Sequence, residues 1–258
     1  MIKKKTLVLL LMIVSTGTAF SQFDYMKDVY TAADMNIKGK VKRVTETHVY
    51  TNKKGKTDEN EEKWKFVYEF DESGRLIKQE YTDLKEDEVQ TTFTYEYMND
   101  RLSKVNVKRK YQYPTTNSFQ YSSSAITVKD ESGNTIEIHA LSNGRVSEIY
   151  NGSSKTSYKF RNVYEYNSLG QIIKKMYKDD AEQYRKYYHT EKYEYNKQGD
   201  VSKMEKYNND GKLDNTNSYE FKYDKNNNWT KCTGVEYSPG DDADDKIYET
   251  YTRSYEFY

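Results

Sequence analysis

Proline, cysteine and histidine are scarce in this sequence, and its net charge is zero. Of 258 residues, two are proline, one is cysteine and three are histidine, and 41 basic residues balance 41 acidic ones. A single thiol forms no internal disulfide, and His48, His139 and His189 lack the spacing of a zinc site. Balanced charge gives no electrostatic reason to expect nucleic acid as a partner.

Motifs that carry enzyme chemistry are also missing. The sequence has no glycine-rich phosphate loop, no Gly-x-Ser-x-Gly elbow and no His-Glu-x-x-His pair. Its many carboxylates cannot be paired from sequence into an acid and a base. We therefore expect a protein that is not an enzyme and that uses no cofactor and no metal. Cys232 has no neighbouring histidine or basic cluster, which favours a buried, inert thiol over a reactive one.

Only one long hydrophobic run occurs, and it lies near the start. A basic Lys3–Lys5 stretch precedes eight apolar residues, Leu7–Val14, and Ala19-Phe20-Ser21 follows. This order is typical of a secretory signal peptide, and the run is far shorter than the roughly 20 residues of a membrane-spanning helix. We expect a signal peptide at 1–21 and a mature domain at 22–258. The protein would then be periplasmic or extracellular, without a membrane span.

Tyrosine is abundant, with 28 residues, and it recurs in a motif. Tyr68-Glu69-Phe70-Asp71, Tyr164-Glu165-Tyr166-Asn167 and Tyr193-Glu194-Tyr195-Asn196 are each followed, three residues after the Asp or Asn, by glycine. An Asp or Asn side chain caps a type I turn, and the position three residues later requires positive φ, which glycine adopts freely. The motif therefore predicts hairpin turns, and its spacing of 27 to 29 residues predicts two strands and two turns per unit.

Between these turns the sequence alternates with a period of two. Tyr219, Phe221 and Tyr223 fall on one face of a strand, and Glu220 and Lys222 fall on the other. We predict an all-β, antiparallel hairpin-repeat meander, a single curled or extended sheet with one aromatic and one charged face. An outer-membrane barrel is the less favoured alternative, because charged residues interrupt the apolar band that lipid requires.

The repeated Tyr-x-[Tyr/Phe]-[Asp/Asn]-x-x-Gly-x-[Leu/Ile] pattern resembles the RHS/YD repeats. With the basic Lys38–Lys42 stretch, the chain also looks like short, exported envelope proteins of Bacteroidetes-type bacteria. The resemblance implies a sheet of β-hairpins in an envelope or secreted protein and implies no particular activity.

A non-catalytic binding or interaction module with a protein or glycan partner is the function these features favour. Aromatic rings stack on sugar rings and also fill protein interfaces. We expect some aromatics to stay exposed near the less regular C-terminal segment, and Trp229, Tyr237 and Tyr248 are the candidate binding residues. An enzyme of unrecognised type and a purely structural envelope protein are the alternatives.

We predict that the exported protein begins at Gln22, because Ala19 and Ser21 place small residues before the cleavage point. N-terminal sequencing of the exported chain tests this. A chain that still begins at Met1 would contradict it.

Overall fold

A computed structural model describes residues 35–57, 63–155, 157–179, 187–242 and 246–258. The expected signal peptide lies outside these ranges. The described residues form sixteen strands: β1 (Val41–Thr51), β2 (Lys63–Phe70), β3 (Leu76–Asp83), β4 (Glu88–Met98), β5 (Arg101–Arg109), β6 (Thr115–Tyr121), β7 (Ala125–Lys129), β8 (Thr135–Ser142), β9 (Arg145–Ser154), β10 (Ser157–Tyr166), β11 (Ile172–Asp179), β12 (Tyr187–Tyr195), β13 (Val201–Tyr207), β14 (Leu213–Tyr223), β15 (Trp229–Tyr237) and β16 (Ile247–Phe257). Within these ranges no helix is both long and apolar enough to cross a membrane.

The strands form an antiparallel meander, as the alternation predicts, and each pairs with its neighbours in sequence. In addition, β16 pairs with β1, which places Val44 opposite Tyr255 and His48 opposite Tyr251. This pairing closes the sheet into a barrel. The expectation of a curled or extended sheet with free edges is therefore wrong. Closure pairs both edge strands and covers the aromatic face in one step.

The turns have the predicted chemistry. Asn196 Oδ1 accepts hydrogen bonds from the backbone nitrogens two and four residues later, at 2.9 and 3.0 Å. Gly170 and Gly199 have φ of 88° and 92°, and Asn227, in the position of glycine, has φ of 62°. The prediction of positive φ at these turn glycines is confirmed.

The two aromatic residues of each repeated motif have different roles. The first, as in Tyr68 and Tyr164, is buried in the core. The second lies near the turn. Where it is a tyrosine, its hydroxyl donates to a backbone carbonyl at the start of the preceding strand, as in Tyr97 to Leu76 (2.8 Å), Tyr166 to Val146 and Tyr195 to Ile172 (2.7 Å each). Tyr255 on β16 makes the corresponding bond to Trp229 at 2.7 Å. The motif therefore joins neighbouring hairpins to each other.

One end of the barrel, called here the capped end, is the end where β1 begins and β2 finishes. Met35 and Ile37, just before β1, are each 7% exposed and pack in the main core cluster. The Lys38 backbone nitrogen donates to Asn228 Oδ1 at 2.6 Å, and Asn228 Nδ2 donates to the Lys38 carbonyl at 3.0 Å. The segment 35–40 is thus fixed to this end, whereas inward residues at the opposite end, such as Tyr50, are half-buried.

The two faces of the barrel differ in polarity. Inward side chains such as Val44, Phe93 and Ile149 are 0 to 2% exposed. Outward side chains are largely Lys, Glu, Thr and Ser, and many form ion pairs between neighbouring strands. Examples are Lys174 with Glu165 (2.8 Å), Lys203 with Glu194 (3.5 Å) and Arg43 with Glu69 (3.3 Å).

We predict that Gly199→Val lowers the free energy of unfolding by about 1–3 kcal/mol, because valine strongly disfavours positive φ. An added Cβ at Gly199 would meet no atom closer than 3.5 Å, so backbone strain and not collision decides the result. Gly199→Asn is the matched control and should cost less, because Asn227 already has this conformation. Urea unfolding measures both, and equal midpoints for the parent and both variants would contradict the turn assignment.

Candidate binding site on the inner wall of the barrel

The inner face divides into an apolar half and a polar half. Inward residues of β4 to β9 include Phe93, Val105, Phe119, Val128 and Ile149. Inward residues of β11 to β16 and of β1 include Lys175, Glu191, Lys206, Asn217, Glu236, Glu249, Arg253 and Glu46. Apart from the buried Glu137 and His139 of β8, the charged inward side chains named here lie on the wall from β11 to β1.

Arg253 and Glu46 form a buried ion pair on this wall. Arg253 Nε lies 2.6 Å from Glu46 Oε2, and the two side chains are 11% and 5% exposed. The guanidinium also lies 3.9 Å from the centre of the Trp229 ring. Burial lowers the pKa of Arg253, but Glu46, together with Tyr255 and Tyr68, more than offsets this effect, and the net shift is upward. These two charges compensate each other within the protein.

Glu249 is a buried carboxylate that has no Lys or Arg ion pair among the described residues. Its Oε2 accepts a hydrogen bond from Tyr251 at 2.6 Å, and its Oε1 lies 3.6 Å from His48 Nε2. The His48 ring stacks on Tyr251 at 4.3 Å and lies 4.8 Å from Trp64. Neither ring nitrogen of His48 has a hydrogen-bond partner among the described residues. Glu249 is thus held by a phenol and faces an imidazole beyond hydrogen-bond distance.

The negative charge of Glu191 has more favourable neighbours than that of Glu249. Its oxygens lie 2.5 Å from the Tyr193 hydroxyl, 3.3 Å from His189 Nε2 and 3.9 Å from Lys175 Nζ. Burial raises the pKa of Glu191, but His189, Lys175 and Tyr193 together outweigh burial and lower that pKa to about 2. Glu191 is therefore ionised at neutral pH.

Glu236 on β15 lies near Glu249 on β16. Asn215 Nδ2 donates to Glu236 Oε1 at 2.8 Å. Burial, followed by the negative charge of Glu249, raises the pKa of Glu236, and Asn215 and Lys206 act in the opposite direction. The upward shift means that burial and the nearby Glu249 together disfavour the ionised form of Glu236.

Tyr219 lies on β14, between the strand of Glu191 and the strands of Glu236 and Glu249. It is 7% exposed, and its hydroxyl has no hydrogen-bond partner in the described part of the chain. Burial raises the pKa of Tyr219, and Glu249, Glu236 and Glu191 raise it further. A Cβ on Gly234 would lie 3.2 Å from the Tyr219 ring and 3.4 Å from Glu249 Oε2, so glycine allows both groups to lie over this strand. We call Glu191, Tyr219, Glu236 and Glu249 the acidic wall.

The aromatic residues proposed from sequence do not form one site. Trp229 lies on the inner wall near the capped end, beneath Arg253. Tyr237 and Tyr248 lie near the opposite end on the outer face, where Lys246 Nζ is 4.9 Å from the Tyr237 ring centre. Whether any of the three contacts a partner stays a prediction.

Sequence reasoning missed the carboxylates and the tyrosines that matter most here. All three histidines face the barrel interior beside a glutamate and not the solvent. A signal was present, because each histidine has a glutamate two residues away in sequence and hence on the same face: His48 with Glu46, His139 with Glu137 and His189 with Glu191. Cys232 is buried at 3% exposure, and burial raises the pKa of its thiol, in agreement with an inert cysteine.

The most exposed tyrosines among the described residues also differ from those expected. Tyr111 and Tyr113, in the loop between β5 and β6, are 91% and 94% exposed, and Tyr111 has φ of 63°. The loop reads Tyr-Gln-Tyr-Pro, and two tyrosines beside a proline in a loop without an Asx-x-x-Gly turn are the sequence signal for these exposed rings. No group of three or more metal-ligating side chains occurs among the described residues.

Comparison with known proteins supports the fold alone. No family model matches the sequence, and no curated protein matches it significantly. A porin-like protein from Bacteroides uniformis is similar in structure, with a TM-score of 0.52, 13% identity and coverage of 84% of this chain and 96% of that one. A porin-like protein from Bacteroides vulgatus has a TM-score of 0.42, 12% identity and coverage of 84% and 98%.

The fold is thus that of a porin-like closed β-barrel. The resemblance to RHS/YD repeat proteins is wrong as an assignment. The local motif is that of a capped hairpin turn, and any meander of such hairpins repeats it, whether its sheet closes or not.

We predict that Arg253→Met lowers the free energy of unfolding by roughly 3–5 kcal/mol, because it leaves the buried Glu46 charge without a partner. Arg43→Met is the matched control on the outer face, where Arg43 pairs with Glu69 at 40% side-chain exposure, and the expected cost is below about 1 kcal/mol. Chemical unfolding followed by circular dichroism compares the two. Equal small losses would show that the inner pair is not buried.

Proposed function

We propose that this chain is a water-exposed, extracytoplasmic binding barrel of the bacterial envelope that acts without catalysis. The observation that carries the proposal is the polarity of the two faces. The charged face points outward, and the aromatic and hydrogen-bonded face points inward.

The outer face supports an aqueous environment and not a lipid one. The outward side chains of β11 to β13 include Lys174, Lys192, Glu194, Lys203 and Glu205. A lysine that faces lipid at the middle of a bilayer costs about 2–4 kcal/mol. A barrel with such residues on several consecutive strands is more stable in water than in a membrane.

The structure of the inner face favours a binding role and not a channel. Its core side chains are packed, and Val44, Val105 and Ile149 have no exposed surface. The capped end is occupied by segment 35–40, where Asn36 Nδ2 donates to Asp200 Oδ1 at 2.9 Å. Polar inward residues nearer the opposite end keep some exposure, so a ligand reaches the interior from that end.

The partner class follows from the polar side chains of the inner wall and from the exposed rings of the loop between β5 and β6. The acidic wall offers hydrogen-bonding groups beside aromatic rings, and Tyr111 and Tyr113 offer exposed rings at the same end. Such surfaces suit a glycan or a protein partner. The alternative function, a membrane channel, is favoured by the closure of sixteen strands into a porin-like barrel.

Purification of residues 22–258 in detergent-free buffer tests the proposal. The expected results are a folded, monodisperse protein, recovery in the aqueous fraction of an envelope preparation, and no conductance steps in planar lipid bilayers. The same preparation refolded with detergent is the control. A chain that folds only with detergent and then conducts ions would overturn the proposal in favour of the channel.

A further inference from the structure

The geometry points to a binding site for a small organic ammonium ion on the acidic wall, between β12 and β16. The inference rests on the proposed function, because it requires an interior that ligands reach from water. It specifies the ligand class that the inner wall recognises.

Charge balance is the first argument. The three carboxylates Glu191, Glu236 and Glu249 face two lysines on the same wall. Lys175 lies 3.9 Å from Glu191, and Lys206 is placed by the strand register opposite Glu191 and Asn215. Among the described residues this wall therefore has one carboxylate more than it has lysines. A buried charge without a partner is costly, so one bound cation stabilises this arrangement.

The unused hydroxyl of Tyr219 is the second argument. It is nine-tenths buried, it has no hydrogen-bond partner among the described residues, and it lies in the field of all three carboxylates. An ammonium group donates three hydrogen bonds and accepts none. The Tyr219 oxygen and the carboxylates of Glu236 and Glu249 are acceptors, which is the set that such a donor requires.

The surrounding rings are the third argument. The His48 and Tyr251 rings stack at 4.3 Å beside Glu249, and the Tyr219 ring covers Gly234. Aromatic faces attract organic cations more strongly when water is excluded. A carboxylate beside aromatic rings therefore favours an organic ammonium over a strongly hydrated metal ion, in line with the absence of a metal-ligand cluster among the described residues.

Access is the fourth argument. Glu191, His189 and Lys175 have side-chain exposures of 15%, 13% and 20%, whereas Glu249 is 3% exposed. From Glu191 to Glu249 the side chains of the wall change from partly exposed to buried. A small ligand that enters from water therefore contacts the exposed polar groups first.

Isothermal titration calorimetry of the purified 22–258 chain at pH 7.5 and low salt tests the inference with a matched pair of probes. Glucosamine and N-acetylglucosamine share the sugar ring and its hydroxyl groups, but only the first bears an ammonium. Propylammonium chloride tests the charge without a sugar. The expected result is saturable binding of glucosamine and propylammonium, with N-acetylglucosamine weaker by at least about tenfold, since charge-assisted hydrogen bonds are the stronger class.

Three variants locate the site. Glu249→Gln and Glu236→Gln should each weaken ammonium binding by about tenfold or more, because each removes a charged acceptor. Glu205→Gln is the control, since Glu205 pairs with Lys203 on the outer face at 2.6 Å, and its binding should match that of the parent. If Glu249→Gln does not fold, the Glu236→Gln variant tests the inference by itself, because Glu236 is only half-buried.

Equal binding of the two sugars, no binding of any ammonium probe, or parent-like binding by Glu236→Gln would overturn the inference. In each case a soluble, non-conducting barrel leaves the proposed function intact. A detergent-dependent, conducting barrel would instead overturn the proposed function.

Discussion

The pairing of β1 with β16 is the contact on which the other features of this protein depend. Without it, the sheet would have two unpaired edges and an aromatic face open to water, both of which promote aggregation. With it, Val44 and Tyr255 become neighbours, Glu46 meets Arg253, and His48 stacks on Tyr251. The closing seam therefore builds part of the polar wall as well as the barrel.

At most positions inside this barrel, a nearby partner offsets the energetic cost of burying a charged group. Glu46 has Arg253, and Glu137 has His139. The acidic wall is different, because its carboxylates outnumber its lysines and Tyr219 has no hydrogen-bond partner among the described residues. Buried polar groups without partners cost stability, and proteins retain them mainly where they serve a function. We therefore relate the excess of carboxylates and the unpartnered Tyr219 hydroxyl on this wall to the ligand binding proposed above.

Strand number and surface polarity are independent properties of a barrel. Side chains alternate with a period of two, so the same backbone carries either an apolar or a charged outer face. Sixteen antiparallel strands with lysine and glutamate outside therefore combine a porin-like fold with a charged outer face, on which we base the proposal of an aqueous environment. The similarity in fold to the Bacteroides uniformis protein is compatible with a different role, because function resides in side chains and not in the strand count.

The sequence by itself determined the strands, the turns and the polarity of the two faces. Positive φ at Gly199, the Asx caps and the alternation of Tyr219 with Glu220 depend on residues a few positions apart, and local physical chemistry decides them. Only the tertiary structure decided that the sheet closes and that Glu191, Glu236 and Glu249 lie on one inner wall with Tyr219. These arrangements involve different strands, and an open and a closed meander share the same local pattern, so no short-range signal separates them.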